Sequence, residues 1–122
     1  MLANMGQACD KVEALRATSW SAGTNNGSYI DVSKYEGDLV FVYNVGAVTG
    51  SATIKIQDAD DTGGTGVADI SGATTAALSS AGSTGAIVVP ASQARKAIRV
   101  VNTVVTGPAL ASVVLVSFPK YV

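Results

Sequence analysis

With 122 residues the chain has the length of one domain with a single core, and too little to add a separate catalytic domain. A formal net charge of −1 supplies no basic field to hold phosphate backbones, which argues against nucleic-acid binding. Histidine is absent and Cys9 is the single cysteine, so the commonest general base and metal ligand, an intrachain disulfide and a paired-cysteine zinc knuckle are all excluded.

Val, Ala, Gly, Ser and Thr dominate while Leu, Glu, Lys and Arg are scarce, a balance that favours strands joined by small-residue turns. Residues 1–16 place Leu2, Met5, Cys9, Val12 and Leu15 near helical spacing. They read as an N-terminal arm or short helix ahead of a single β domain over 17–122, and Cys9 as a small inert apolar residue. The overlapping stretch KVEALRATSW is at the same time a strand candidate. The opening residues have neither the positive region nor the apolar run of a secretory leader, and no apolar run approaches a membrane span, so synthesis in a cytoplasm is expected.

SYIDV (Ser28 to Val32) is a short strand candidate. DLVFVYNV (Asp38 to Val45) is apolar on both faces, with Leu39, Phe41, Tyr43 and Val45 on one and Val40 and Val42 on the other. Such a strand is central in its sheet or covered by a neighbouring subunit. SATIKIQ (Ser51 to Gln57) alternates Ala52, Ile54 and Ile56 with polar residues, the pattern of a strand with one wet face. The glycines of GAVTG between these two predict a hairpin.

VADISG (Val67 to Gly72) is another short strand candidate. Ser71 to Gly85, almost wholly small residues, reads as a long loop with room for one helical turn. GAIVVP (Gly85 to Pro90), AIRVVNTVV (Ala97 to Val105) and ASVVLVSF (Ala111 to Phe118) follow as strands, the last two joined through Thr106-Gly107-Pro108. With no long helical pattern between them, about 7–8 strands predict an all-β antiparallel sandwich or jelly roll.

The most chemical stretch is KIQDADDTGGTG, residues 55–66. Asp58, Asp60, Thr62, Gly63 and Asp69 fall on positions 1, 3, 5, 6 and 12 of a calcium-loop template. Position 12 is Asp where the longer Glu normally grips the ion, and strands flank the loop where the template needs helices. A polar hairpin turn is the expected structure, with Asp58, Asp60, Thr62 and Asp69 the residues to watch for a cation. GGTG lacks the Lys and Ser/Thr of a phosphate loop. A glycosidase dyad would need an aromatic-lined cleft, and the chain has seven aromatic residues in all, so no enzyme activity and no cofactor are expected. Trp20, Phe41, Tyr43, Phe118 and Tyr121 are expected in the core or at a subunit interface. The apolar tail SFPKYV adds a sign of assembly.

The run YIDVSKYEGDLVFVYNVGAVTGSATIKIQDADDTGGTGVADI and the later IRVVNTVVTGPALASVVLVSFPK resemble small proteins encoded among the structural genes of tailed bacteriophages. The matching motifs are Gly37-x-Leu39-x-Phe41, Val45-Gly46, the acidic turn Asp58 to Gly64, and Arg99-Val100-x-x-Thr103. The resemblance covers about the last three quarters of the chain and implies a capsid cement or decoration protein. Such a protein is a small β-sandwich, often a homotrimer, that clamps major capsid proteins on the outside of an expanded head. The implied partners are the major capsid protein and further copies of the chain, with no nucleic acid and no membrane, and the implied location is the virion surface. Leu2, Met5, Val12, Val40, Val42, Phe118 and Tyr121 are the interface candidates. A tail or fibre-associated domain that binds a receptor or glycan is the alternative.

Overall fold

Nine strands and one 3₁₀ turn make up the computed structural model, which describes residues 10–119. The strands are β1 (Asp10–Trp20), β2 (Gly23–Asn26), β3 (Ile30–Asp31), β4 (Tyr35–Val48), β5 (Ser51–Ala59), β6 (Ala68–Thr74), β7 (Ser83–Pro90), β8 (Ala97–Val105) and β9 (Ala109–Pro119). No helix among the described residues is long and apolar enough to cross a membrane.

Two antiparallel sheets form. One has the order β1-β9-β4-β7 and the other β2-β8-β5-β6, with β3 continuing the β2 edge along β8. Taking β2 and β3 as one interrupted strand, β1 pairs with β9, β2/β3 with β8, β4 with β7 and β5 with β6. These are the nested pairs of one long hairpin, rolled so that successive pairs fall in opposite sheets. The result is the double-sheet jelly roll, an all-β sandwich.

The core lies between the sheets and follows the alternation of each strand. Leu39, Phe41 and Val45 of β4, with Val113 and Leu115 of β9 beside them in the same sheet, face Ile54 and Ile56 of β5 and Ile98 and Val100 of β8, all fully buried. Each such side chain contributes about 2 kcal/mol by leaving water. Trp20 closes one end, its indole N–H donating to the Ala111 carbonyl at 3.2 Å.

The paired strands correct the expected hairpin at GAVTG. β4 and β5 lie in different sheets, so Thr49-Gly50 is a corner between layers. Thr106-Gly107-Pro108 is the matching corner between β8 and β9. The two corners touch, with the Thr49 N–H donating to the Pro108 carbonyl at 3.2 Å. Two consecutive strands need not pair: nested pairing sends β4 to β7 and β9, and β5 to β6 and β8.

The N-terminal arm boundary also moves. Residues 1–9, with Leu2, Met5 and Cys9, lie outside the described residues, but 10–16 are neither arm nor helix; they begin β1. Val12, Leu15 and Thr18 stand opposite Leu115, Val113 and Ala111, so three residues of β1 span two of β9, twice. Each extra residue is a bulge that resets the inward phase, which is how a strand acquires helix-like spacing. Val12 packs against the core cluster.

The small-residue stretch Ser71 to Gly85 is shorter as a loop than expected and has no helical turn. β6 runs to Thr74, β7 starts at Ser83, and Leu78 between them bridges to Ala52 by two backbone bonds of 2.8 and 3.0 Å. The 3₁₀ turn lies instead at Ala91–Gln93.

Candidate functional site

The acidic loop joins β5 to β6 as a hairpin, with Gln57 opposite Asp69 and Asp58 opposite Ala68. Successive strand residues point to opposite faces. Asp69 therefore stands on the outer face, where it accepts from Gln57 Nε2 at 2.7 Å and pairs with Lys55 Nζ at 3.2 Å. The Gln57 hydrogen bond, then Lys55, hold its carboxyl below the usual value of 3.8.

Asp58 turns the other way and is buried, 8% exposed. Arg95 meets it there. The Arg95 backbone N–H donates to Asp58 Oδ2 at 3.1 Å and Nη2 donates to Asp58 Oδ1 at 3.0 Å. The same guanidinium donates to the carbonyls of Asp58 and Gly66 and to Asp60 Oδ1. Its hydrogen bonds with Asp58, then Asp60, raise its pKa above the ordinary arginine value. Arg95 thus clasps both ends of the loop to the segment leading into β8.

The tip is held by Asp61. Its carboxylate accepts from the Thr65 hydroxyl at 2.8 Å and from the backbone N–H groups of Gly63 and Thr65. Those bonds, the Thr65 hydroxyl first, lower its pKa. Gly64 has φ +87°, and a side chain there would collide with the Tyr29 hydroxyl. Asp58 and Asp60 therefore share Arg95, Asp69 faces Lys55 and Gln57, and the four template residues do not gather in one place. Among the described residues no group of three or more His, Cys, Asp or Glu side chains is arranged to hold a metal ion.

Arg95 was invisible to sequence reading because it sits 37 positions from Asp58. No local spacing rule connects them; only the fold, which lays the segment before β8 against the loop, does.

The outer faces of the two sheets differ sharply. On the β2-β8-β5-β6 sheet a polar chain crosses the strands. Arg99 lies over the Tyr29 ring at 5.0 Å and donates to Gln57 Oε1 at 2.9 Å, and Gln57 passes the chain on to Asp69 and Lys55. The side chains of that polar chain are satisfied by one another.

On the β1-β9-β4-β7 sheet, residues standing directly opposite share a face. Val116, Val40 and Val88 form one row across β9, β4 and β7, and Val114, Val42 and Ala86 form the next. Val42 is 44% and Val88 54% exposed, and Val40, Val114 and Val116 are half-buried. A polar row of Ser112, Asn44 and Thr84 bounds the patch at one end, with Leu110 beyond it over Gly46. Lys11 and Glu13 of β1 bound it along one side. Among the described residues nothing covers these two rows.

Val40 and Val42 thus belong to one patch with Ala86, Val88, Val114 and Val116, which sequence analysis did not connect to them. Alternation within β4 marked the two valines, but only strand order sets them beside the other four. Phe118 is placed by its backbone at the end of β9, opposite Glu36. Tyr121, Leu2 and Met5 lie outside the described residues.

No family model matches the chain, and no curated protein matches it. Among solved structures it is similar to a chain in "Structure of infectious bursal disease virus Gx strain", with 11% sequence identity and a TM-score of 0.42. The similarity covers 93% of this chain and 34% of that one, so this chain spans about a third of that chain's length.

Proposed function

We propose that this chain is a structural virion protein, a cement or decoration protein that binds and stabilises the capsid shell of a tailed phage through the outer face of the β1-β9-β4-β7 sheet. The observation that carries the reading is the uncharged patch of Val40, Val42, Ala86, Val88, Val114 and Val116 on a sheet whose other side is already a complete core. An antiparallel sheet ordinarily keeps its solvent side polar, as the opposite sheet of this molecule does across Arg99, Gln57, Lys55 and Asp69. A valine face is the form such a sheet takes when another protein covers it.

Two further points support the reading. The double-sheet jelly roll is an architecture that viral capsids use, although fold alone assigns no function. The motifs resembling phage head proteins fall on core and turn positions: Leu39, Phe41 and Val45 in the core, and Asp58 to Gly64 in the clasped loop. The role needs no catalytic group. The acidic loop, the one chemical motif of the sequence, spends its carboxylates on Arg95, Lys55 and its own backbone. Repetition over a shell would turn a modest patch into firm attachment by avidity.

The test is reconstitution. Purified chain mixed with expanded heads that lack it should appear at lattice positions by electron microscopy and raise the heat stability of the heads. Val42→Lys, which places a charge in the middle of the patch, should bind at least about tenfold more weakly. Wild-type protein that leaves the head lattice bare would overturn the proposal.

A further inference from the structure

Each sheet of an open sandwich ends in strands whose outward N–H and C=O groups are unpaired, and proteins normally blunt such edges with charge, bulges or brevity. Three edges here are blunted. β1 carries Lys11, Glu13 and Arg16 and two bulges, and its middle is closely approached by Gly27, where an added Cβ would lie 2.4 Å from the Ala14 carbonyl oxygen. The β2/β3 edge is broken into pieces of four and two residues. β6 carries Asp69, a register shift against β5, and Gly72 at φ +79°.

β7 has almost none of these devices. It is Ser-Thr-Gly-Ala-Ile-Val-Val-Pro, with no charged residue. It pairs with β4 in unbroken register over eight successive positions, Ser83 opposite Val45 through Pro90 opposite Asp38. Its one guard, Pro90, stands at the very end. Among the described residues its other side has no strand partner.

The valine patch is open on this same side. It is bounded by polar residues at one end and along β1, yet at β7 it runs to the edge through Ala86 and Val88, both exposed.

We propose that β7 is a self-association edge: two copies of this chain join β7 to β7, antiparallel and related by a two-fold axis perpendicular to the sheet. A second copy is the partner that fits, because an isologous pairing sets like residues close together and an uncharged strand alone tolerates this. The two-fold keeps both valine patches on the same side, so the pair presents one continuous sheet with an apolar face twice as large. This inference does not rest on the virion reading, and its test uses the purified chain alone. The phage resemblance implies trimers, so the measured mass separates the two arrangements.

Light scattering and sedimentation over a concentration series should give a monomer–dimer equilibrium. Ala86→Lys adds a charge at an exposed position in the middle of β7 and should weaken dimerisation at least about tenfold through like-charge repulsion. An equimolar mixture of Ala86→Lys and Ala86→Glu should restore it, which only folded chains can do. Val42→Lys, on the same face but one strand inward, should dimerise within about threefold of wild type. The proposal is overturned by a wild-type chain that stays monomeric, by a trimer mass, by Ala86→Lys dimerising normally, by failure of the mixed pair, or by Val42→Lys losing dimerisation.

Discussion

Asn102 stands apart from every other residue that faces the core. It lies on β8 opposite Ile54, its residue has no exposed surface, and neither atom of its amide has a hydrogen-bond partner within the chain. A buried polar group left without a partner costs about 1–3 kcal/mol. Asn102→Val, close in volume and better suited to a strand, is expected to raise stability by about 1–2 kcal/mol in urea denaturation. At this scale much was legible: Ala52, Ile54 and Ile56 are all fully buried, as their alternation predicts. Asn102 was not, because AIRVVNTVV carries Arg99 and Asn102 on opposite faces and so does not reveal which of the two turns inward. Arg95 was hidden for a different reason, since an ion pair across the fold leaves no mark on the spacing near either partner.

The corners between sheets carry the constraints that belong to whole elements. At Gly50 a Cβ would lie 2.0 Å from the Val105 carbonyl oxygen and 2.7 Å from that of Thr106, both of them backbone atoms at the facing corner. Neither can give way without moving β8. Gly82, by contrast, has open space around it and needs glycine only for its φ of +81°. Gly50→Ala is therefore expected to cost about 3 kcal/mol, at the upper end for overpacking, and Gly82→Ala about 1 kcal/mol. Thermal unfolding of the two variants side by side checks the order. The glycines of GAVTG announced a change of direction, and there is one. That it leads to the opposite sheet follows from β5 pairing with β8 and β6, which residues 46–50 do not encode. The bulges of β1 make the converse case, where an inserted residue disguised a strand as a helix.

For the molecule as a whole, pH response follows from which groups it has. With no histidine to titrate, stability is expected to be nearly flat between about pH 5 and pH 8. Asp31, Asp61 and Asp69 have folded-state pKa values lowered below 3.8, by the hydrogen bonds of Ser33, Thr65 and Gln57 respectively. A lowered carboxylate pKa means the folded state holds its protons less tightly than the unfolded one. The stabilisation is then complete above the ordinary value and is lost as pH falls through the folded value. Melting temperature should therefore hold steady down to about pH 4 and decline below it. All three groups are exposed, so high salt should shrink the decline. A peak of stability near neutral pH would contradict this account.

The sequence by itself determined that the chain is all-β, where most strands run, and that the acidic stretch turns one of them back. Alternation of side chains and the backbone demands of turns are local properties, readable within a few residues. Strand partners are chosen by hydrogen bonds between segments far apart, so only the tertiary structure decided the nested pairing, the Arg95 clasp and the division of Asp58 from Asp69. It alone decided, too, that Val40 and Val42 lie beside Ala86, Val88, Val114 and Val116. Strand order gathers residues scattered over the chain into one apolar face, and leaves the uncharged β7 at its rim.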